Sequence, residues 1–277
     1  MRKAPSKPPR REEKNEECRM KNEKCHPDGN SSFFTSHSSL STSHSLLFTS
    51  HFSLSSLPLG GAGGGLPSLI FDLDGTLLDT LDDLWASVNH ALASFSLPLR
   101  SRTEVRQFLG NGAKVLIHKS LPEDSDKTLE EQVLSTFRQH YLLHSLDQTH
   151  PYEGIIPLLQ QCKALGLKTA IVSNKPHAAV QELHQHFFPT LIDLAIGEQQ
   201  PHIRRKPNPD MVLKAMEQLE VSPDSCIYIG DSEVDIETAQ NSHIPCIAVS
   251  WGFRDRSFLQ SFSVPIIDSP KEIWQYI

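Results

Sequence analysis

The feature that most constrains this chain is a short apolar run that ends directly in acidic residues. Residues 68–71 (Ser-Leu-Ile-Phe) have the length and composition of a buried strand, and Asp72 and Asp74 follow at once. Two carboxylates beside a buried strand are costly to desolvate unless a cation neutralises them. The pattern therefore predicts a strand whose carboxyl end meets positive charge.

Further apolar runs of strand length follow this one along the chain. They lie at residues 168–172, 193–196, 226–229 and 244–249. Segments with helical length and spacing separate them, at residues 152–165, 176–187 and 209–219. Asn208 is expected to cap the last helix, with Pro209 at its first position. Strands that alternate with helices predict an α/β fold with an open parallel sheet flanked by helices.

Residues 80–150 break this alternation, because only helical patterns occur there. Two helical faces are apolar, one from Leu81 to Phe95 and one from Leu129 to Tyr141, and we interpret both as packing surfaces. Thr128 and Glu131 predict a capping box at the start of the second helix. We therefore predict a small inserted α-helical cap (residues 80–150) that covers a core of residues 67–79 and 151–277 and excludes water.

Residues 1–66 differ in composition from the rest of the chain. Residues 31–66 contain no charged side chain, and Thr-Ser-His recurs there at Thr35, Thr42 and Thr49 before a glycine-rich run. This composition predicts a disordered low-complexity tail. A second hypothesis is a misassigned start, so that the tail is not part of the native product. The spacing of Cys18, Cys25 and His26 matches no standard zinc pattern.

The charge of the remaining chain restricts its partners. The first 66 residues hold nine basic and six acidic side chains, which leaves 17 basic and 27 acidic ones beyond them. An acidic body argues against a nucleic-acid partner. Apolar runs are too short for a membrane span, and five scattered cysteines form no disulfide framework. We expect a soluble protein of a reducing compartment, the cytoplasm, with no membrane partner; the oligomeric state is not readable.

Three more polar clusters fall at strand ends or helix starts, where a parallel sheet keeps its site. They are Ser173 with Asn174, Lys206, and Gly230-Asp231 with Asp235. Each has a plain alternative when taken alone: a helix cap, a turn, or, for the lysine, a solvated basic patch. Their common placement and their order along the chain favour one shared site.

This set resembles the motifs of the haloacid dehalogenase (HAD) superfamily of phosphatases, over residues 68–277. The motifs are Asp-x-Asp-x-Thr at Asp72, Asp74 and Thr76, the strand-end Ser173, Lys206, and Gly-Asp-x-x-x-Asp at Gly230, Asp231 and Asp235. The resemblance implies a Rossmann-like core. Because dehalogenase members lack the second acid, Asp74 points to phosphoryl transfer.

The resemblance also implies a mechanism and a cofactor. Asp72 would be the nucleophile that forms an aspartyl-phosphate, and Asp74 the general acid and base. The implied cofactor is Mg²⁺, with Asp72, Asp74 and Asp231 as ligands, the second of these through its backbone carbonyl. The remaining implied roles are phosphate binding by Ser173, Asn174 and Lys206, and support behind the ligands by Thr76 and Asp235.

A narrower resemblance concerns the substrate. Residues 105–113 in the cap, with residues 174–176 and 250–253, resemble phosphoglycolate phosphatases. This implies a small phosphate ester, 2-phosphoglycolate, as substrate, chosen by the loop Gly110-Asn111-Gly112. The alternative for that loop is an ordinary turn between helices. The alternative functions are a phosphatase for pyrophosphate or a sugar phosphate, and a non-catalytic regulatory or binding protein on a phosphatase scaffold.

Overall fold

The computed structural model describes residues 66–199 and 201–277. The predicted tail, with the hypothesis about its start, lies outside the described residues apart from Leu66. None of the helices in the described residues has both the length and the apolar character needed to cross a membrane.

Eight strands occur in the described residues. They are β1 (Ser68–Phe71), β2 (Leu78–Asp79), β3 (His150–Pro151), β4 (Thr169–Pro176), β5 (Leu194–Glu198), β6 (Cys226–Gly230), β7 (Cys246–Val249) and β8 (Ile266–Ile267). Six of them form one parallel sheet in the order β5-β4-β1-β6-β7-β8. The predicted open parallel sheet is confirmed. Because β1 lies between β4 and β6, the carboxyl ends of these three strands meet at one sheet edge.

Nine α-helices and two short 3₁₀ segments complete the described residues. The helices are α1 (Leu81–Ser94), α2 (Arg102–Phe108), α3 (Gly112–Ser120), α4 (Lys127–His144), α5 (Ile155–Ala164), α6 (His177–Phe187), α7 (Asp210–Leu219), α8 (Glu233–Asn241) and α9 (Arg256–Leu259). The 3₁₀ segments are Pro223–Ser225 and Pro270–Gln275. Helices α5 and α6 pack on one face of the sheet, and α7, α8 and α9 pack on the other. Cover on both faces explains why the central strands β4, β1 and β6 are buried along nearly their whole length.

Helices α1 to α4 form a separate layer with its own apolar core, which also takes in Phe253 from the loop after β7. The chain enters and leaves this layer through β2 and β3, which pair antiparallel. At the same point the Asp83 carboxylate accepts hydrogen bonds from the backbone N–H groups of Gln148 and Thr149 and from the Thr149 hydroxyl, at 2.7 to 3.1 Å. The two connections are therefore braced together at the base of the cap.

Two predicted helix starts are wrong. Helix α4 begins at Lys127, and the side chain of Asp126, not that of Thr128, caps it by accepting from the Leu129 N–H. Aspartate is as good a cap as threonine, and its charge favours the positive end of the helix. Helix α7 begins after Pro209, and the Asn208 side chain donates instead to the Arg205 carbonyl.

Candidate active site

The sheet edge brings together residues from three separate parts of the chain. Asp72 follows β1, and Asp231 follows β6. Ser173 is the fifth of the eight residues of β4, so the strand continues past its predicted end, but Ser173 lies beyond the part that pairs with β1. All three residues are buried. Lys206 reaches the same edge from the loop after β5. The adjacency follows from the strand order, because β1 has β4 and β6 as its two neighbours.

Lys206 is the cation at the centre of this group. Its ammonium lies 2.7 Å from Asp72 and 2.7 Å from Asp235, and it donates to the Tyr228 hydroxyl at 3.2 Å. Burial opposes its charge, but the carboxylates of Asp235 and Asp72 outweigh burial and raise the pKa of Lys206 well above its ordinary value. The side chain is therefore charged, and the basic-patch alternative does not describe it.

Three buried carboxylates face one another here: oxygens of Asp72, Asp231 and Asp235 all lie within 4.8 Å. Burial first, and the Asp235 carboxylate second, raise the pKa of Asp72 above its ordinary value and that of Asp231 to about 7. One ammonium does not balance three carboxylates at this spacing. A divalent cation with oxygen ligands, such as Mg²⁺, fits this donor set.

The three carboxylates differ in how far their oxygens are already engaged. Both oxygens of Asp235 are used, one by Lys206 and the Tyr228 hydroxyl, the other by the Ser232 N–H and hydroxyl. Among the residues that the structure describes, Asp231 accepts one hydrogen bond, from the Phe253 N–H at 2.6 Å. Asp72 and Asp231 therefore retain oxygens for a cation, whereas Asp235 is committed to orienting Lys206.

Gly75 lets the loop after β1 close against Asp231. Its φ of +87° is a conformation that side chains rarely adopt, and a Cβ there would lie 2.5 Å from an Asp231 carboxylate oxygen. Thr76 follows it with a buried hydroxyl that has no hydrogen-bond partner in the described residues. The Thr76 carbonyl accepts from the indole N–H of Trp251 at 3.0 Å. The loop that carries Asp74 is thus held through its own backbone, which packs against Asp231 at Gly75 and accepts a hydrogen bond from Trp251 at Thr76.

Asp74 lies where the sheet edge meets the cap. One of its carboxylate oxygens accepts from the Thr80 hydroxyl at 2.7 Å and lies 3.0 Å from the Lys175 ammonium. Lys175 also donates to the Tyr141 hydroxyl of α4 at 2.8 Å. Burial opposes the charge of this ammonium, but Asp74 and Tyr141 outweigh it and raise the pKa of Lys175 above its ordinary value. A buried cation therefore joins Asp74 to the cap.

A cavity of about 290 Å³ lies between the sheet edge and the cap, with Asp72, Asp74 and Lys206 among its lining residues. Its apolar wall includes Leu84, Leu116, Phe137 and Leu142 of the cap. The apolar face of α4 therefore serves two purposes: Phe137 and Tyr141 pack in the cap and also line the cavity.

Ser173 and Asn174 both line this cavity, but their side chains differ in their hydrogen bonds. Ser173 is buried in its wall, and its hydroxyl accepts from the Lys175 N–H at 3.2 Å. The Asn174 amide is fully engaged, donating to the carbonyls of Gly110 and Lys206 at 3.1 Å and accepting from the Lys206 N–H at 2.7 Å. The Asn174 side chain therefore has no N–H left to donate to an anion.

Residues Leu109–Gly112 form a connection that we call the latch loop. Successive carbonyls of Leu109, Gly110 and Asn111 accept from Arg254, Asn174 and Arg205 at 2.9, 3.1 and 3.0 Å. Gly110 and Gly112 line the cavity, whereas Asn111 does not. Gly110, Asn111 and Gly112 are the residues predicted to choose the substrate. Asn111 contacts the core through its backbone carbonyl and does not line the cavity.

Several residues of the site escaped the sequence prediction. Lys175 lies in residues 174–176, which resemble phosphoglycolate phosphatases, but within this segment only Asn174 is predicted to bind phosphate. A tyrosine hydroxyl on the apolar face of α4 was a usable signal, since a buried hydroxyl needs a partner. Thr80, Arg205 and Arg254 gave no signal, because their contacts depend on how the cap and core pack.

Comparison with known proteins places the chain in a family. Residues 69–249 match the family model of haloacid dehalogenase-like hydrolases, and the chain belongs to this family. The resemblance expected from the motifs is confirmed: the chain is an enzyme of this family, and it is similar to proteins named phosphoglycolate phosphatases.

One such relative is the phosphoglycolate phosphatase of Mesorhizobium japonicum, 33% identical over 193 residues, or 69% of this chain and 85% of the relative. The crystal structure of a candidate phosphoglycolate phosphatase from Lactobacillus delbrueckii has 36% identity and a TM-score of 0.72, covering 76% of this chain and 97% of that one. The structure of a predicted phosphoglycolate phosphatase from Haemophilus somnus has 26% identity, a TM-score of 0.68 and the same coverage.

Proposed function

We propose that the chain is a Mg²⁺-dependent phosphatase that hydrolyses 2-phosphoglycolate to glycolate and inorganic phosphate. The observation that carries this proposal is the sheet edge itself. Asp72 lies 2.7 Å from Lys206, and Asp74 lies two residues further on, beside a cavity that the cap covers. The similarity to proteins named phosphoglycolate phosphatases supports the choice of substrate.

In this proposal Asp72 is the nucleophile. Its carboxylate oxygen attacks phosphorus, the bond from phosphorus to the ester oxygen breaks, and an aspartyl-phosphate forms. Asp74 donates a proton to the departing ester oxygen and then takes one from the water that attacks phosphorus in the second step. Inorganic phosphate leaves and Asp72 is restored. In the described part of the chain, Thr80 and Lys175 contact one carboxylate oxygen of Asp74, and the other oxygen, which has no partner there, supports this role.

The remaining residues would bind the phosphate and the cation. Lys206, the Ser173 hydroxyl and the backbone N–H of Asn174 would hold the phosphate oxygens on which negative charge develops. Asp72 and Asp231, with the Asp74 carbonyl, would hold Mg²⁺. When bound, Mg²⁺ neutralises the repulsion between carboxylate and phosphate. Asp235 would keep Lys206 in place, and the Thr76 carbonyl contact would fix the loop that carries Asp74.

The test measures whether the purified full chain hydrolyses four compounds, with Mg²⁺ or with EDTA. They are 2-phosphoglycolate, pyrophosphate, glucose 6-phosphate and p-nitrophenyl phosphate. We expect turnover that needs Mg²⁺ and a preference for 2-phosphoglycolate. Asp72→Asn should lower kcat by roughly 10⁴-fold or more, as expected for loss of a nucleophile. Asp224→Asn, at an exposed position, is the matched control.

Two results would contradict the proposal in different ways. A folded protein that hydrolyses none of the four compounds would favour the non-catalytic alternative. Preference for pyrophosphate or glucose 6-phosphate would keep the phosphatase and replace its substrate. An Asp72→Asn variant with wild-type kcat would remove Asp72 from the nucleophile's role.

A further inference from the structure

Lys175 is a buried cation with hydrogen-bonding capacity to spare. Its side chain is 6% exposed and borders the cavity, and its partners in the described residues are Asp74 and Tyr141. An ammonium carries three N–H donors, so one donor has no acceptor among the described residues. A buried charged donor is costly to leave unpaired, so a ligand that supplies an acceptor here gains affinity.

The position of this donor is set by Asp74. The Lys175 nitrogen lies 3.0 Å from the carboxylate that, in the proposed function, protonates the ester oxygen of the leaving group. Atoms one or two bonds from that ester oxygen therefore lie beside Lys175. A carboxylate on the carbon next to the ester oxygen is an acceptor of the right charge at the right place.

The rest of the cavity opposes a larger polar leaving group. The cap wall beyond Tyr141 presents Leu84, Leu116, Phe137 and Leu142, which have no polar side-chain atoms. A sugar would bring several hydroxyls against this wall, and each hydroxyl buried without a partner is unfavourable. Arg138, also on the cavity wall, is an exposed cation, so water screens it more than it screens Lys175.

We propose that Lys175 determines specificity by binding the substrate's carboxylate, and that the substrate class is small phosphate esters of 2-hydroxycarboxylic acids. This inference rests on the proposed function, because it assumes that Asp74 faces the ester oxygen. Tyr141 supports Lys175 from the cap, so a closed cap holds the ammonium in its binding position.

The test compares 2-phosphoglycolate with ethyl phosphate, which has a methyl group in place of the carboxylate. The readout is the ratio of the two kcat/KM values, in which any effect that Lys175 has through Asp74 cancels. We expect Lys175→Met to lower this ratio at least tenfold, mainly through KM for 2-phosphoglycolate. Arg138→Met, which removes the exposed cation from the same wall, should change the ratio less than threefold.

A measurement on the wild-type protein keeps the inference testable if Lys175→Met does not fold. Moving the carboxylate one methylene further from the ester oxygen, in 3-phosphonooxypropionate, should lower kcat/KM at least tenfold relative to 2-phosphoglycolate. Equal kcat/KM values for 2-phosphoglycolate, 3-phosphonooxypropionate and ethyl phosphate would overturn the inference and leave the phosphatase proposal standing.

Two outcomes of the variant experiment would also overturn it. Equal losses on 2-phosphoglycolate and ethyl phosphate in Lys175→Met would show that Lys175 acts only by positioning Asp74. A ratio that falls in Arg138→Met and not in Lys175→Met would assign the carboxylate to Arg138. If wild-type protein with Mg²⁺ hydrolyses no phosphate ester, the proposed function fails and this inference fails with it.

Discussion

Arg254 donates a hydrogen bond to the Leu109 carbonyl at 2.9 Å, across the boundary between the core and the cap. The same guanidinium holds the Glu233 carboxylate with two hydrogen bonds, at 2.7 and 2.9 Å. Glu233 begins α8, the helix that carries Asp235. One side chain therefore ties the latch loop to the helix whose Asp235 contacts Lys206, so the packing of the cap on the core and the position of Lys206 are linked.

Replacing Arg254 with methionine should loosen this link. The variant loses the contact to Leu109 and the pair with Glu233, and a charged hydrogen bond is worth about 1.5–3 kcal/mol. We expect KM for 2-phosphoglycolate to rise roughly tenfold and hydrogen exchange of residues 105–113 to become faster. The control is Arg102→Met, which removes an exposed pair with Asp82 on the cap. Unchanged exchange in the Arg254 variant would show that the other latch contacts suffice.

Asp74→Asn should separate the two chemical steps. An amide cannot take the proton from the attacking water, so breakdown of the aspartyl-phosphate slows more than its formation from a substrate with a good leaving group, such as p-nitrophenyl phosphate. Rapid quench with ³²P-labelled ester should show phosphate bound to protein and lost in a further Asp72→Asn variant. If no slow variant accumulates labelled protein, the covalent intermediate is contradicted.

Lys206→Met should impair both rate and stability. Loss of one preorganised charge contact to the transition state costs about 3 kcal/mol or more. It also leaves Asp72 and Asp235 buried without their shared cation, which destabilises a protein by about 3–5 kcal/mol when a buried pair is broken. Mg²⁺ should recover part of the lost Tm and little of the lost kcat. Lys119→Met, at an exposed position of α3, is the control. A wild-type kcat in the Lys206 variant would limit this buried lysine to a structural role.

The stability of the protein should decrease in acid because of a stack of histidine rings in the cap. The His140 ring stacks on those of His90 and His144 at centroid distances of 4.0 and 4.2 Å, and its Nδ1 lies 3.0 Å from the Ser87 hydroxyl. Burial, then His90 and His144, lower the pKa of His140 below its ordinary 6.5, although Asp147 opposes them. The unfolded chain then binds the extra proton first, so the free energy of unfolding should decrease as pH falls below 6.5.

His140→Gln should flatten this part of the stability profile. The measurement is Tm between pH 5 and 8, with His202→Gln, at an exposed position, as the control. A His140→Gln profile that overlays the wild-type profile would show that the stacked rings carry no pH dependence.

The location of the site was predictable because its signals are local. Short apolar runs within β1, β4 and β6, at residues 69–71, 170–172 and 226–229, are followed closely by polar residues. An apolar run of this length is expected where a strand of a parallel sheet is buried. The partners of Asp74 were not predictable in the same way. Lys175 and Tyr141 are 34 residues apart, and periodicity assigns Tyr141 to an apolar face without saying what lies opposite it.

The errors at the helix starts have a similar cause. Asp126 and Thr128 are both good caps, and the surrounding loop, not their intrinsic preference, decides which one is used. The latch loop shows the same limit, because a sequence motif names Asn111 without saying that its backbone carbonyl makes the contact.

The pairing of β2 with β3 has a consequence for how such an enzyme changes over generations. Leu78 lies opposite Pro151, so the two ends of the cap are one strand spacing apart, about 5 Å. An insertion with such close ends can be lengthened, shortened or exchanged without moving β1 or the aspartates that follow it. The leaving-group preference can therefore diversify while the phosphoryl-transfer machinery stays constant, which makes this junction the natural place to graft a foreign cap.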